Sequence, residues 1–123
     1  MSILQIKKAV DCLCSGGLVA FPTETVFGLG ADATNPSAIN RIFEVKKRPK
    51  NHPLIVHVSS VLAAKKLANY WPEQAEILSK AFWPGPLTLL VKKNFYLPEI
   101  VTGGQKNIAI RIPSHPFALK LLN

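Results

Sequence analysis

Apolar and polar positions recur along this chain with two different periods, and the switches between them mark out the elements. Ile3, Ile6, Ala9, Val10 and Leu13 fall three or four residues apart, which predicts a helix with one apolar face over 3–13. Ser15-Gly16-Gly17 ends it, because glycine accepts the left-handed backbone common just past a helix. Leu18-Val19-Ala20-Phe21 is an unbroken apolar run closed by Pro22, the pattern of a short buried strand. Thr23 to Gly30 mixes hydroxyls, one carboxylate and two glycines, and reads as a strand-to-loop passage. Asn35-Pro36 starts a second helix, with Asn as cap and Pro at the first helical position. Its apolar stripe, Ile39, Ile42 and Phe43, carries it to about Lys47, and Arg48-Pro49 stops it.

Leu54 to Val58 is a second strand. Ser59-Ser60 caps a helix from Val61 to about Asn69, and Trp71-Pro72 opens another with Ala75, Leu78, Ala81 and Phe82 on its apolar face. Trp83-Pro84-Gly85-Pro86 is a rigid turn before a third strand, Leu87 to Val91. An irregular loop over 95–105 precedes a fourth strand, Ile108 to Ile112, and Pro116 begins a last helix that reaches Leu122. Helices alternate with strands throughout, so the expected fold class is α/β, as one domain over 1–123. Two turns of helix leave Leu119, Leu121 and Leu122 with nothing in the pattern to cover them. An open apolar end of that kind predicts self-association or a missing continuation.

Composition narrows the class. A chain of 123 residues can bury one core, and 48% hydrophobic residues exclude a wholly disordered chain. Fifteen basic against seven acidic residues give a net charge of +8, which favours an anionic partner without choosing among nucleotide, RNA and acidic surface. Cys12 and Cys14 have neither redox nor zinc spacing and read as two reduced thiols. No apolar run reaches membrane-spanning length and no signal-peptide pattern opens the chain, so a cytoplasmic location is expected, with no membrane partner.

The candidate chemistry is concentrated in few places. Lys46-Lys47-Arg48-Pro49-Lys50 lies between a helix end and a strand start. Such a cluster either caps the helix C-terminus or holds phosphate, for which Lys brings charge and Arg a two-pronged donor. His57 and Arg111 each stand inside strands otherwise made of Val, Leu, Ile and Ala. A buried arginine is costly without an anion, so Arg111 points to a carboxylate, on a ligand or on one of the chain's acids. His57 read alone fits a satisfied core histidine equally well. The passage over 22–30 has hydroxyls and glycines able to meet a small polar ligand, but it is neither a P-loop nor a dinucleotide fingerprint. There is no nucleophile elbow and no metal-ligand set. Lys92-Lys93 followed by Phe95 and Tyr96 would suit RNA phosphates and bases.

Taken together, these segments resemble the YrdC/TsaC family of threonylcarbamoyl-AMP synthases. The resemblance rests on Phe21 to Gly30, on Lys46 to Pro49 with Pro53 to Val58, on Trp83 to Thr88, and on Ile108 to Pro113 with His115-Pro116. It implies a twisted mixed sheet flanked by helices around a basic cavity, and a reaction joining L-threonine, bicarbonate and ATP into threonylcarbamoyl-AMP with release of pyrophosphate. The product serves threonylcarbamoyladenosine modification of tRNA. By position, Thr25 and His57 would contact threonine and Arg111 its carboxylate. Lys46 and Arg48 would carry the catalytic charge on the triphosphate, with His52 and Asn107 completing the ATP contacts. Mg2+ is expected with the ATP, held mainly by phosphate oxygens rather than by the protein. Phe27 stands where many members have Tyr, and His52 where members have Asn or His. Members also continue through a Ser-Ala-Asn segment and later Ser and Arg residues, so the C-terminal part of the fold is expected to be missing here. That expectation leaves enzyme activity open. The rival functions are a non-catalytic double-stranded RNA or tRNA-binding module and an inactive truncated paralogue.

Overall fold

The protein's computed structural model describes residues 3–22, 27–33, 35–46, 54–94, 98–102 and 106–122. The first helix, α1 (Ile3–Cys14), ends at Gly16, whose φ of 86° is the left-handed conformation its composition foretold. The chain then enters β1 (Val19–Pro22), which pairs antiparallel with β2 (Phe27–Gly30) in a two-stranded sheet. The sequence pattern gave no strand at 27–30. Gly28 and Gly30 weaken β propensity there, and the strand forms by pairing with β1, with Gly28 opposite Phe21 and Gly30 opposite Val19.

Helix α2 (Pro36–Lys46) starts where the cap predicts, with the Ala38 N–H donating to Asn35 Oδ1 at 3.2 Å. Its buried stripe is Ala38, Ile39, Ile42 and Phe43. Strand β3 (Ile55–His57) follows, then α3 (Val61–Leu67), whose cap is Ser60, its hydroxyl accepting from the Ala63 N–H at 3.1 Å. After α4 (Glu73–Phe82) come β4 (Leu89–Lys92), a 3-10 turn (Glu99–Thr102), β5 (Asn107–Arg111) and α5 (Pro116–Leu122). The second sheet has the order β3-β5-β4, with β5 parallel to β3 and antiparallel to β4. The expected α/β class and mixed sheet are therefore found.

Side chains alternate across this sheet, so each strand offers one set to each face. Val56, Leu89, Val91, Ile108 and Ile110 turn into the main core, where they meet Ile39 and Phe43 of α2, Ala64 of α3 and Ala75 of α4. Phe43 is 2% exposed, and burial of such a side chain stabilises by about 1.5–3 kcal/mol. On the opposite face Ile55 and Leu90, both paired with Ala109, stay 47% and 70% exposed. This side of the sheet is open among the described residues.

Two expectations about apolar faces are corrected. In α4 the buried positions are Ala75 and Ser79, while Ile77, Leu78 and Phe82 lie exposed. Small side chains one helical turn apart let α4 approach the core, and Glu76 binds this side by accepting from Trp71 Nε1 at 2.8 Å and pairing with Lys65 at 3.1 Å. The C-terminal leucines are not an open end either. Ala118 and Leu121 are buried in a second cluster with Ile6, Ala9, Val10 and Leu13 of α1 and Val19 of β1, and Leu119 packs against the main core. Leu119 and Leu121 are therefore not left bare as the pattern predicted, because α1 and the main core take up those sides of α5. No described helix is long and apolar enough to cross a membrane.

Candidate functional site

Strand β5 lies in the middle of the sheet, so its open-face side chains are flanked on both sides. In sequence these are Asn107, Ala109 and Arg111, and the parallel register sets His57 beside Arg111. Two residues chosen separately from their apolar surroundings thus become neighbours on one face. Asn107 shares that face four residues away, at about 13 Å along an extended strand. It is exposed, and Lys92 is its antiparallel partner. Between the two ends lies the apolar row of Ile55, Ala109 and Leu90.

Arg111 is only 7% exposed although its strand face is open. The segment joining α4 to β4 reaches it. Its Nε–H donates to the Gly85 carbonyl at 2.9 Å in a buried bond. The Gly85 N–H in turn donates to the Ile112 carbonyl at 2.8 Å. Burial draws the guanidinium below its usual pKa, by desolvation of the charged form, yet an arginine stays protonated throughout the physiological range. A buried cation beside the open sheet face is a favourable place for an anion.

His57 titrates below its ordinary value, because burial disfavours the imidazolium more than a hydrogen bond to the Ile55 backbone favours it. At neutral pH its ring is therefore neutral, and with its N–H given to the Ile55 backbone the ring nitrogen that remains is an acceptor. Arg111 with a neutral imidazole alongside suits a ligand that carries a carboxylate next to an amino or hydroxyl group.

The remaining candidates are less fully placed. Lys46 is the last residue of α2, and its side chain is outside the described part. Thr25, Arg48 and His52 lie outside the described residues. Gly85 was missed as a contributor. Its Trp-Pro-Gly-Pro setting announced a rigid turn but carried no signal that the turn would meet Arg111, 26 residues later.

A profile of the Sua5/YciO/YrdC family, described as "Telomere recombination", matches residues 11–123. The chain belongs to the Sua5/YciO/YrdC family. The threonylcarbamoyl-AMP synthase of Pyrococcus abyssi is 50% identical over 118 residues, covering 96% of this chain and 35% of that protein. The Bacillus subtilis synthase is 47% identical over 119 residues, covering 96% of this chain and 34% of that protein. A crystal structure of P. abyssi Sua5 complexed with L-threonine superposes with a TM-score of 0.96 at 49% identity, over 98% of this chain and 36% of that one. Escherichia coli YciO gives a TM-score of 0.87 at 25% identity, over 97% of this chain and 58% of that one. The chain thus spans about a third of the length of the P. abyssi and B. subtilis relatives. For this Sua5/YciO/YrdC chain, the fold is the one shared with those structures.

Proposed function

We propose that this chain carries the amino-acid-binding part of a threonylcarbamoyl-AMP synthase, one that condenses L-threonine, bicarbonate and ATP and serves threonylcarbamoyladenosine modification of tRNA. The observation that carries the proposal is the pairing of His57 with Arg111 on the open face of the sheet. It gains weight from the likeness to synthases and to a Sua5 structure that holds L-threonine.

In this reading Arg111 takes the threonine carboxylate and neutral His57 contacts the amino acid beside it, with Thr25 as a further contact. Lys46 and Arg48 neutralise the charge that grows on the triphosphate as pyrophosphate leaves, which is work for preorganised cations. His52 and Asn107 contact the nucleotide. Ile55, Ala109 and Leu90 give the ligands an apolar floor. The described residues contain no group of three His, Cys, Asp or Glu side chains suited to a metal ion. Mg2+ would enter on the phosphate oxygens of ATP.

One observation favours tRNA or double-stranded RNA contact as a second activity. Asn94 Nδ2 donates to the Lys66 carbonyl, and the Lys93 N–H to the Lys106 carbonyl, so the backbones of Lys66, Lys93 and Lys106 and their neighbour Lys92 gather at one end of the sheet. The deciding experiment is to follow pyrophosphate release and detect the adenylate by mass spectrometry, with each substrate omitted in turn. Release that requires threonine and bicarbonate supports the synthase reading. Salt-sensitive RNA binding without threonine binding overturns it in favour of an RNA-binding module.

A further inference from the structure

Arg111 is held in place from a segment that has no part in the reading above, the turn over Trp83–Pro86. We propose that Gly85 is a positioning residue whose carbonyl fixes the plane of the Arg111 guanidinium, and so sets how strictly the site demands a carboxylate. The inference rests on the proposed role of Arg111 toward an amino acid, and it names the part of the protein that makes that role selective.

Three observations carry it. The first is the direction of the bond. A guanidinium is planar and can grip a carboxylate either side-on, through Nε and one Nη, or end-on, through both Nη groups. Donation from Nε to Gly85 at 2.9 Å commits the atom that the side-on grip requires. The plane then follows the Gly85 carbonyl, and a side-on grip is denied its Nε donor.

The second is reciprocity. Gly85 also donates its N–H to the carbonyl of Ile112, the residue that follows Arg111, at 2.8 Å. One peptide unit of the turn is thus tied to the arginine side chain, and the adjoining N–H to the arginine's own strand. A shift of the turn moves the side chain relative to the backbone that carries it.

The third is the lack of room for any other residue. A Cβ on Gly85 would lie 2.9 Å from the Phe82 carbonyl oxygen, closer than real Cβ contacts, and φ there is 157°. That oxygen belongs to the last residue of α4, so the turn itself would have to give way. The other side of the turn is anchored as well. Trp83 Nε1 donates to the Leu87 carbonyl at 2.7 Å, and the Trp83 ring packs against Trp71 with centroids 6.2 Å apart.

The test compares Gly85→Ala, Arg111→Ala and the unchanged 123-residue chain for binding of L-threonine, of L-threoninol, in which a hydroxymethyl group replaces the carboxylate, and of ATP. The unchanged chain should prefer threonine to threoninol by at least about tenfold, the value of one charge-assisted hydrogen bond. Gly85→Ala should lower threonine affinity by about tenfold, bring the preference close to one, and leave ATP affinity within about twofold. The Arg111 Nε–H resonance in nitrogen-15 NMR should exchange slowly in the unchanged chain and lose that protection in Gly85→Ala. A lower melting temperature with the preference intact would make the turn a merely structural support and overturn the inference. Loss of the preference in Arg111→Ala but not in Gly85→Ala would overturn it while leaving the amino-acid site standing. Absence of threonine binding in the unchanged chain would remove the reading on which it rests, and the inference with it. Should Gly85→Ala show no cooperative melt, Trp83→Phe, which deletes the bond to Leu87, should lower the preference by about threefold. An unchanged preference there would equally overturn the inference.

Discussion

Replacing Arg111 by methionine separates the two costs that a buried arginine carries. Methionine keeps most of the side-chain stem, so little packing is lost. The Gly85 carbonyl loses its donor, and a buried acceptor left unmade costs about 1–3 kcal/mol. Against this, the fold no longer desolvates a charge, the effect that draws Arg111 below its usual pKa. Exchanging a buried charge for an apolar group of similar size is often neutral or stabilising for that reason. The two effects offset, and net destabilisation should not exceed about 2 kcal/mol. Ligand binding has no such offset. A carboxylate deprived of one charge-assisted hydrogen bond loses about 1.5–3 kcal/mol, or about 10- to 150-fold in affinity. Urea melts together with calorimetric titration of L-threonine should therefore show a nearly unchanged midpoint beside a loss of at least tenfold in affinity. Threonine affinity within about twofold of the unchanged chain would refute the carboxylate role. A collapse of stability well beyond about 3 kcal/mol would show that the arginine serves mainly the fold.

His57 makes stability depend on pH in a direction its burial determines. Its folded pKa lies below the ordinary 6.5, so between the two values the unfolded chain binds a proton that the folded chain refuses. Stability from this residue is complete above about pH 6.5 and declines as the pH falls toward the lowered value. Melts recorded across that range should show a smaller acid-side decline in His57→Gln, and an equal decline in both proteins would refute the burial argument. In the second cluster, Leu121→Ala should cost about 2–5 kcal/mol in urea titration, whereas Leu62→Ala, at a position 67% exposed, should stay within about 0.5 kcal/mol. Equal effects at the two positions would mean that α1 does not cover α5.

The helix starts were legible because they are local chemistry. Asn35 and Ser60 cap α2 and α3 through side-chain bonds that reach three residues along the chain. The apolar runs of β3, β4 and β5 were legible for a similar reason, since a buried strand announces itself by composition. The buried face of α4 was not. Its large apolar residues point outward and two small ones point in, because the space beside the sheet suits Ala75 and Ser79. Strand β2 and the cover over Leu121 depend on partners distant in sequence, which no window of neighbouring residues contains. The site follows the same division. Arg111 and His57 stood out individually as polar residues in apolar strands, but their adjacency is a product of parallel register. The Gly85 bond joins positions 26 apart and had no local trace.

The order of the strands in the second sheet has a consequence for how the chain is made. β5 pairs with both β3 and β4, yet it leaves the ribosome after either of them. Until Asn107–Arg111 emerges, neither outer strand has its partner, and Val56, Leu89 and Val91 lack the neighbours that close the core over them. Apolar segments of this kind, left waiting during synthesis, are where chaperones bind and where aggregation begins. The strand that brings Arg111 beside His57 is thus also the strand whose arrival ends that exposure, so a nascent chain halted before residue 107 should depend on chaperones far more than one halted after β5 has cleared the exit tunnel.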